Sequence, residues 1–552
     1  MVTRSSPNVL MVYPRFNPHS FWSHEPLCKL LGARCTEPPL GLLTVAALLP
    51  AEWNIRLVNC NAEELTDDDL AWSDMVMTGG MLFQQNDTLA ITARAHAHRK
   101  LVVIGGPDVT SSPDSYRSAD FLVLGEAEGI IEKFVEAWRD GATQGVFEGV
   151  RFQVDVTKTP VPRFDLIDLS HYLAMTVQFS RGCPFQCEFC DIIELYGRVP
   201  RAKANEQILN ELDALYFLGW RGPVDFIDDN FIGNKKAVKK FLPLLSEWQR
   251  KRGYPFRFQT EASVNLSDDA ELLKMMREAN FQAVFIGIES PDPETLVSAQ
   301  KRQNTRRSLT DSIHRVYEAG IYVVAGFIIG FDTEKNRVAE TMIVAIEAMS
   351  IPVCMVGLLF ALQDTQLSRR LRKEGRMLPV EANKGDQCTG GLNFVTLRPK
   401  QEILTDYRTV VQHVFAPETY FGRVRTMGRA LRPSEHAGKR SIVEIRRESR
   451  AIFRLAWCMT FTRPALRRHF WKTVIDCAVH NHASLVPVLT MIAYYLHLGE
   501  FAKLVLKEVD GQIETLARES VHSSNDPAVS PPGMDSFPAS ALVNIEGLSI
   551  LQ

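Results

Sequence analysis

Along the first third of the chain, short apolar runs rich in β-branched residues alternate with amphipathic stretches. Val9–Tyr13, Ile55–Val58, Met75–Thr78, Leu101–Ile104 and Phe121–Leu124 read as buried parallel strands, because they are apolar on both faces. Leu40–Leu49, Asp87–His98 and Glu128–Trp138 read as the helices between them. That alternation predicts a doubly wound α/β sheet whose ligand lies beyond the carboxyl ends of its strands. Glycines fall at those ends, in Thr78-Gly79-Gly80, Gly105-Gly106-Pro107 and Gly125-Glu126. Each alone is an ordinary turn. Repeated at successive strand ends, they let backbone approach a large flat ligand, which makes Gly79, Gly105, Gly106 and Gly125 candidate binding positions.

After the proline-punctuated connector Thr159–Arg163, a second series of strand-plus-helix units begins. Met175–Phe179, Val224–Ile227, Arg257–Thr260, Val284–Ile288, Tyr322–Ile329 and Cys354–Phe360 read as six strands of a partial (β/α)6 barrel, open on one side. Loops at the carboxyl ends of such strands carry the chemistry. From about Arg376 the periodicity is mostly helical, and Arg423–Lys472 carries fourteen Lys and Arg against three Glu. Ser523–Ser540, rich in Ser, Pro and small residues, reads as disordered. The expected division is 1–155, 160–375, 376–520 and a tail at 521–552.

Composition narrows the class. A length of 552 residues predicts about three domains, and 45% hydrophobic with 23% charged residues is ordinary for a soluble globular protein. The net charge of −3 gives no pull toward nucleic acid, and no RNA-binding module is evident. The N-terminus lacks an apolar stretch long enough for a signal peptide. Ala483–Leu496, interrupted by Pro487, is too short to span a bilayer and reads as a buried helix. A cytoplasmic protein, soluble or peripheral at the inner face of the membrane, is expected.

Cys183, Cys187 and Cys190 carry the chemistry, in the run Arg181-Gly-Cys-Pro-Phe-Gln-Cys-Glu-Phe-Cys-Asp191. Three thiolates spaced C-x-x-x-C-x-x-C can ligate three corners of a [4Fe–4S] cluster and leave the fourth iron open. That iron can chelate the amino and carboxylate groups of S-adenosylmethionine (SAM), and an electron from the cluster then cleaves SAM to a 5′-deoxyadenosyl radical. Structural zinc wants four ligands, and no fourth Cys or His lies near. Three cysteines cannot pair evenly as disulfides, and the other seven, dispersed along the chain, read as buried free thiols in a reducing compartment. The spacing, with Phe189 before the last Cys, resembles the radical-SAM signature.

SAM then needs polar groups at the barrel's strand ends. Asp225-Phe-Ile-Asp-Asp-Asn-Phe231 ends the second barrel strand, and in radical-SAM enzymes this position contributes to amino-group binding, so the resemblance implies Asp228, Asp229 and Asn230. Glu261 and Ser263 end the next strand, facing the methionyl or ribose part. Glu289 closes the fourth, and Gly326–Gly330 the fifth, beside adenine. Phe189 either lies near adenine or simply packs.

The order of a Rossmann-like domain, then CPFQCEFC on a barrel, resembles the cobalamin-binding radical-SAM family. Gly105-Gly-Pro-Asp-Val-Thr110, Asp120 and Gly125-Glu-Ala-Glu-Gly129 are similar to that family's cobalamin domain. Pro38-Pro-Leu-Gly-Leu-Leu-Thr-Val-Ala-Ala47, Phe179–Ile193, Leu195–Arg198, Asp228–Asn234 and Phe415–Tyr420 look like the hopanoid methylase group, best the enzymes methylating carbon 2 of the A ring. The resemblance implies a [4Fe–4S] cluster, SAM and cobalamin as cofactors, a flavodoxin- or ferredoxin-type electron donor, and methylation of a lipid-like polycyclic triterpenoid. A ring-forming or oxidative cyclase of bacteriochlorophyll synthesis shares the domain order and stays open as an alternative, as does a methylase of another natural product. One departure is clear: where other cobalamin enzymes carry D-x-H-x-x-G, this chain reads Asn59-Cys-Asn-Ala-Glu-Glu64, which predicts a cobalt without a His lower ligand. The basic C-terminal stretch, interleaved with Trp457, Phe461, Phe470 and Trp471, either contacts anionic lipid or is a charged helix face whose aromatics lie in the core.

Overall fold

The computed structural model of the chain describes residues 6–17, 20–379, 387–433 and 442–524. Two parallel sheets follow one another along the chain. The first joins β1 (Asn8–Tyr13), β2 (Asn54–Asn59), β3 (Met75–Thr78), β4 (Leu101–Gly105), β5 (Phe121–Leu124) and β6 (Gly145–Glu148) in the order β2-β1-β3-β4-β5-β6. Helices cover both faces, as the unbroken apolar strands require. The chain reverses direction across the sheet between β1 and β3, and the open crevice of such a sheet lies at that switch point. Thr78 Oγ1 donates to Val12 O at 2.8 Å there, stitching the two strand ends together. The sixth strand escapes a reading by hydrophobic runs because it is an edge strand with alternating exposure.

The second sheet holds β7 (Met175–Val177), β10 (Gly222–Phe226), β11 (Phe256–Glu261), β12 (Phe281–Glu289), β13 (Tyr322–Ile329) and β14 (Val353–Leu358), all parallel and in sequence order. Its edge strands β7 and β14 do not pair, so the (β/α)6 barrel is open. A small antiparallel pair, β8 (Ser180–Arg181) and β9 (Arg201–Ala202), stands just after β7. The N-terminal segment runs beside the β7 side of the gap: Leu173 N donates to Cys35 O and Ala174 N to Thr36 O, at 3.2 and 3.0 Å.

The C-terminal part is helical, with Lys400–Val414, Pro417–Ala430, Ile442–Trp457, Arg467–His480 and Leu485–Ser524 as its main elements. The α/β architecture with a helical C-terminus is thus the one the hydrophobic pattern predicts. The last helix corrects one expectation. Pro487 does not interrupt it, because it sits at the third helical residue, where a backbone N–H has no intrahelical acceptor to lose. His482–Glu519 is long and apolar enough to cross a membrane by length and composition, but 61% of its most apolar window is buried. It packs against Lys400–Val414, Pro417–Ala430 and Glu25–Leu31 as a core helix. Tyr420 Oη donates to Met491 O at 2.7 Å and Tyr495 Oη to Phe415 O at 2.8 Å within that packing.

Candidate active site

The three cysteines lie in a loop clamped at its base by the β8–β9 pair. Gly182 takes φ +96°, and a Cβ there would sit 2.9 Å from Gly197 O and 3.1 Å from Tyr196 O, so only glycine lets the loop start this tightly. Cys183 N donates to Gly197 O at 3.2 Å, and Cys190 N to Cys187 O at 3.2 Å. Two side-chain amides point at sulfur: Asn230 Nδ2 stands 3.7 Å from Cys183 Sγ, and Gln303 Nε2 3.5 Å from Cys187 Sγ. Amide donors suit sulfurs that carry negative charge as cluster ligands. Glu188 anchors the far side, accepting from Arg370 Nη2 at 2.9 Å. No three His, Cys, Asp or Glu side chains among the described residues converge on a single metal ion. Cubane ligands need not do so, since each cysteine binds a different iron.

Asp228 faces the cluster loop rather than the lumen. Its carboxylate accepts from Phe179 N at 2.9 Å, Ser180 N at 2.5 Å and Ser180 Oγ at 2.6 Å. Asp229 accepts from Gly182 N at 2.8 Å. Asn230 joins the next strand end, its Nδ2 donating to Ser263 Oγ at 3.1 Å. Burial pushes Asp228 up to about 6 and Asp229 to about 7. Glu261 is pushed to about 8, by burial first and then by the like charges of Asp229, Glu37 and Asp228. Its side chain is solvent-accessible, yet densely surrounded by protein. The Asp229 and Glu261 carboxyl groups favour a cation, as the ammonium and sulfonium of SAM are.

Glu289 has φ +64° and pairs with Lys301, whose Nζ sits 5.8 Å over the Phe189 ring. Phe189 itself packs edge-on against Phe331, centroids 6.0 Å apart. Gly287 and Gly326 are neighbours in the β12–β13 register, and a Cβ on Gly287 would collide with Glu289 and Lys301. Sequence reasoning did not single out Gln303 or Lys301, since both lie on the stretch after the fourth barrel strand with no motif around them.

At the first sheet, Gly79 lies against Gly105: a Cβ on Gly79 would stand 2.0 Å from Gly105 O. Gly106 and Gly125 have φ +106° and +94°. Bare backbone therefore forms the carboxyl edge beside the switch point, the surface a flat macrocycle requires. Thr110 Oγ1 accepts from Gly125 N at 2.9 Å, and Asp108, raised by burial, is held by Tyr116 and Gln85. Asn59 turns away from this edge, its Nδ2 donating to Tyr172 Oη at 3.3 Å.

The two sheets are joined by charge. Arg181 donates to Glu128 at 2.6 Å and to Glu126 at 3.0 Å, and Arg201 donates to Glu126 at 2.8 Å. All four side chains are at most 15% exposed. The acids of Gly125-Glu-Ala-Glu-Gly129 thus hold both strands of the cysteine hairpin. The signal in the sequence was two alternate acids in one motif and an arginine before the first Cys, with nothing to say that they meet.

A parallel open barrel with three loop cysteines, docked on a glycine-edged Rossmann sheet, defines a radical SAM enzyme with a second cofactor domain. Residues 177–343 match the Radical SAM superfamily, and 365–510 match a domain of unknown function, DUF4070. An uncharacterised methyltransferase of Synechocystis is 41% identical over 528 residues, 95% of this chain and 97% of that one. The hopanoid C-2 methylase of Rhodopseudomonas palustris is 34% identical over 504 residues, 89% of this chain and 93% of that one. Among solved structures, the cobalamin-dependent SAM radical enzyme OxsB with aqua-cobalamin bound aligns with TM-score 0.58 at 15% identity, covering 94% of this chain and 81% of that one. The chain belongs to the cobalamin-binding radical SAM methyltransferases, in the family of the hopanoid C-2 methylase. Its cofactors are a [4Fe–4S] cluster, SAM and cobalamin.

Proposed function

We propose that the chain methylates an unactivated A-ring carbon of a polycyclic triterpenoid, a hopanoid. The observation that carries this is the likeness to the hopanoid C-2 methylase, which extends through the helical C-terminal part and not only the barrel. When bound, the cluster and SAM supply hydrogen abstraction and cobalamin supplies the methyl group, as a carbon with neither lone pair nor acidic hydrogen requires.

The protein's part is to hold these groups against one carbon. Cys183, Cys187 and Cys190 would ligate the cluster, with Asn230 and Gln303 donating to two of the sulfurs. Asp229, Asn230, Ser263 and Glu261 would hold SAM at the lumen, and Asp228 holds the hairpin that carries the cysteines. Gly79, Gly105, Gly106 and Gly125 would underlie cobalamin. A flavodoxin- or ferredoxin-type protein would supply the electron.

A membrane-facing role for the basic C-terminal stretch is supported by its aromatics. Phe453, Trp457 and Phe461 stand in a row, exposed by 67%, 55% and 63%, with centroids 6.2 and 4.6 Å apart. Trp471 is 41% exposed, whereas Phe470 is buried. Arg423 takes no part in a surface, being buried and donating to Ile351 O at 2.8 Å. Such a row of apolar rings among arginines suits the interface of an anionic membrane, where the substrate resides.

Triterpenoid profiling of a deletion strain, with and without complementation, tests the substrate. The expected result is loss of a methylated hopanoid and its return. An unchanged methylhopanoid profile would overturn the substrate reading, and a product altered by ring closure rather than by one CH₂ unit would favour the cyclase.

A further inference from the structure

One row of side chains across the barrel lumen has no part in cofactor binding. Thr176 on β7, Asp225 on β10 and Gln259 on β11 are register partners, followed by Ala283 on β12 and Tyr322 on β13. Their neighbours in sequence, Met175, Val177, Val224, Phe226, Phe258, Val284 and Val323, fill the core under the helices. Side chains alternate along a strand, so the row faces the lumen. Two buried polar atoms in it have no partner among the described residues: Thr176 Oγ1 and Asp225 Oδ1. Thr176 is 1% exposed and Asp225 6%.

Asp225 Oδ2 accepts from Gln259 Nε2. Its carboxyl group is also within hydrogen-bonding reach of Glu37. Glu37 arrives from the segment that runs beside β7, just before Pro38-Pro39 turns the chain into the helix Leu40–Leu48. Burial first, and the neighbouring Glu37 second, raise the Asp225 carboxyl.

The walls beside them are aromatic. Trp22 lies 5.8 Å from Phe285, one lumen layer above the row. Tyr494, from the last helix, has its ring centroid 5.1 Å from that of His24 and lies within electrostatic reach of Tyr322, Asp225 and Glu37. His24 Nδ1 is a further buried atom without a partner among the described residues. Buried polar groups are normally satisfied, so these atoms are places where a ligand's polar atoms belong. The reaction asks for none of them, since hydrogen abstraction and methyl delivery need no acid or base at this depth.

We propose that Thr176, Asp225, Gln259 and Glu37 form the polar end of the substrate pocket and receive a hydroxyl group carried by the polycyclic substrate. The unpartnered Thr176 hydroxyl offers a donor and the open Asp225 Oδ1 an acceptor, the pair a ligand hydroxyl both takes and gives. An ammonium group, with no lone pair, would leave the Thr176 hydroxyl proton without an acceptor. The aromatic walls suit fused rings. The ring system named here rests on the hopanoid reading; the hydroxyl pocket does not.

Two measurements on the anaerobic holoenzyme test this. In the first, a hopane polyol and the parent hopane hydrocarbon are compared as substrates. The wild type should favour the polyol at least tenfold in kcat/KM, and Thr176→Val should bring that ratio near one. In the second, infrared difference spectra follow the protonated-carboxyl band on adding cyclohexanol or methylcyclohexane. Cyclohexanol should shift the band in the wild type and not in Asp225→Asn, with circular dichroism verifying that both are folded. A wild-type ratio near one, or a band that cyclohexanol leaves unmoved, overturns the pocket. Methylation of neither hopane together with a cyclohexanol shift confined to the wild type overturns the hopanoid reading and sustains the pocket.

Discussion

Arg181, two positions before the first cluster cysteine, donates to Glu128 of the Rossmann-like domain at 2.6 Å, and neither side chain is more than 12% exposed. Through this contact the glycine edge of one sheet is fixed relative to the cysteine hairpin of the other. Glu126 reinforces it by bridging Arg181 and Arg201. A reaction that uses a cofactor on each side of a domain boundary depends on such a fixed distance.

Arg181→Met should therefore strand a buried charge on Glu128. Breaking one side of a buried pair costs about 3–5 kcal/mol, because the remaining charge is left uncompensated. Urea unfolding should show a loss of that order, and iron analysis a lower cluster content. Arg181→Met with unchanged stability would mean that the pair is not buried in solution.

The three cysteines are not equivalent to the other seven. Replacing Cys183, Cys187 or Cys190 by Ala should abolish both the cluster's absorbance and SAM cleavage. Cys354, buried on β14 with Sγ 3.3 Å from Ile351 O, should tolerate Ala with both retained. Full SAM cleavage by Cys187→Ala would refute the ligand assignment.

Gln303 offers a finer probe. Its Nε2 stands 3.5 Å from Cys187 Sγ, and a hydrogen bond to a cluster sulfur stabilises the reduced, more negative form. Gln303→Leu should shift the cluster's midpoint potential to more negative values with iron content unchanged, as spectroelectrochemistry would register. A shift in the positive direction would show that the amide does not donate to the sulfur.

Acid should loosen the contact between the N-terminal segment and the last helix. Burial, with His497 nearby, lowers His24 to about 3 from 6.5, and His497 Nε2 donates to Ser20 O and Phe21 O at 3.1 Å each. A depressed folded-state pKa for a base contributes stability above pH 6.5 that is lost as the pH falls toward 3. At pH 4.5 the loss is roughly 3 kcal/mol, from about 1.4 kcal/mol per pH unit. His24→Asn, which tolerates the φ of +43° found there, should flatten the fall of Tm between pH 6.5 and 4.5. An equally steep fall in the variant would assign the acid sensitivity elsewhere.

The exposed row of Phe453, Trp457 and Phe461 should bind anionic vesicles. Each nearby Arg contributes about 1 kcal/mol at such a surface, so reversing Arg446 and Arg450 to Glu should weaken binding by roughly 30-fold or more. Binding should also fall with salt, since exposed charges are screened over about 8 Å at physiological ionic strength. Co-sedimentation unaffected by salt and by the reversals would leave this stretch as a solvated helix face.

Much of this was legible in the residues. Eleven of the strands announce themselves in the hydrophobic pattern, and the spacing of Cys183, Cys187 and Cys190 names the cluster without any coordinates. What stayed hidden depends on pairs distant in sequence. Asp228 reads as a ligand for SAM because it ends a strand, yet its oxygens accept from Phe179 and Ser180, some fifty residues away. Glu126 and Glu128 read as part of a cobalamin motif, and only the docking of two sheets reveals their arginine partners. Arg423 counts toward a basic surface in the sequence but lies in the core, where the Glu347 carboxylate and the backbone carbonyls of Ile351 and Val414 absorb its charge. Burial, which no single side chain declares, decided each of these.

The most direct test of the central claim follows a labelled methyl group. The anaerobically reconstituted enzyme, with cobalamin, a reducing system and SAM bearing a trideuterated methyl group, is given a hopanoid and the product is weighed by mass spectrometry. The account predicts a hopanoid carrying the labelled methyl on its A ring, formed only when cobalamin is present and lost in Cys187→Ala. A product without the label, or full labelled product without cobalamin, would contradict it.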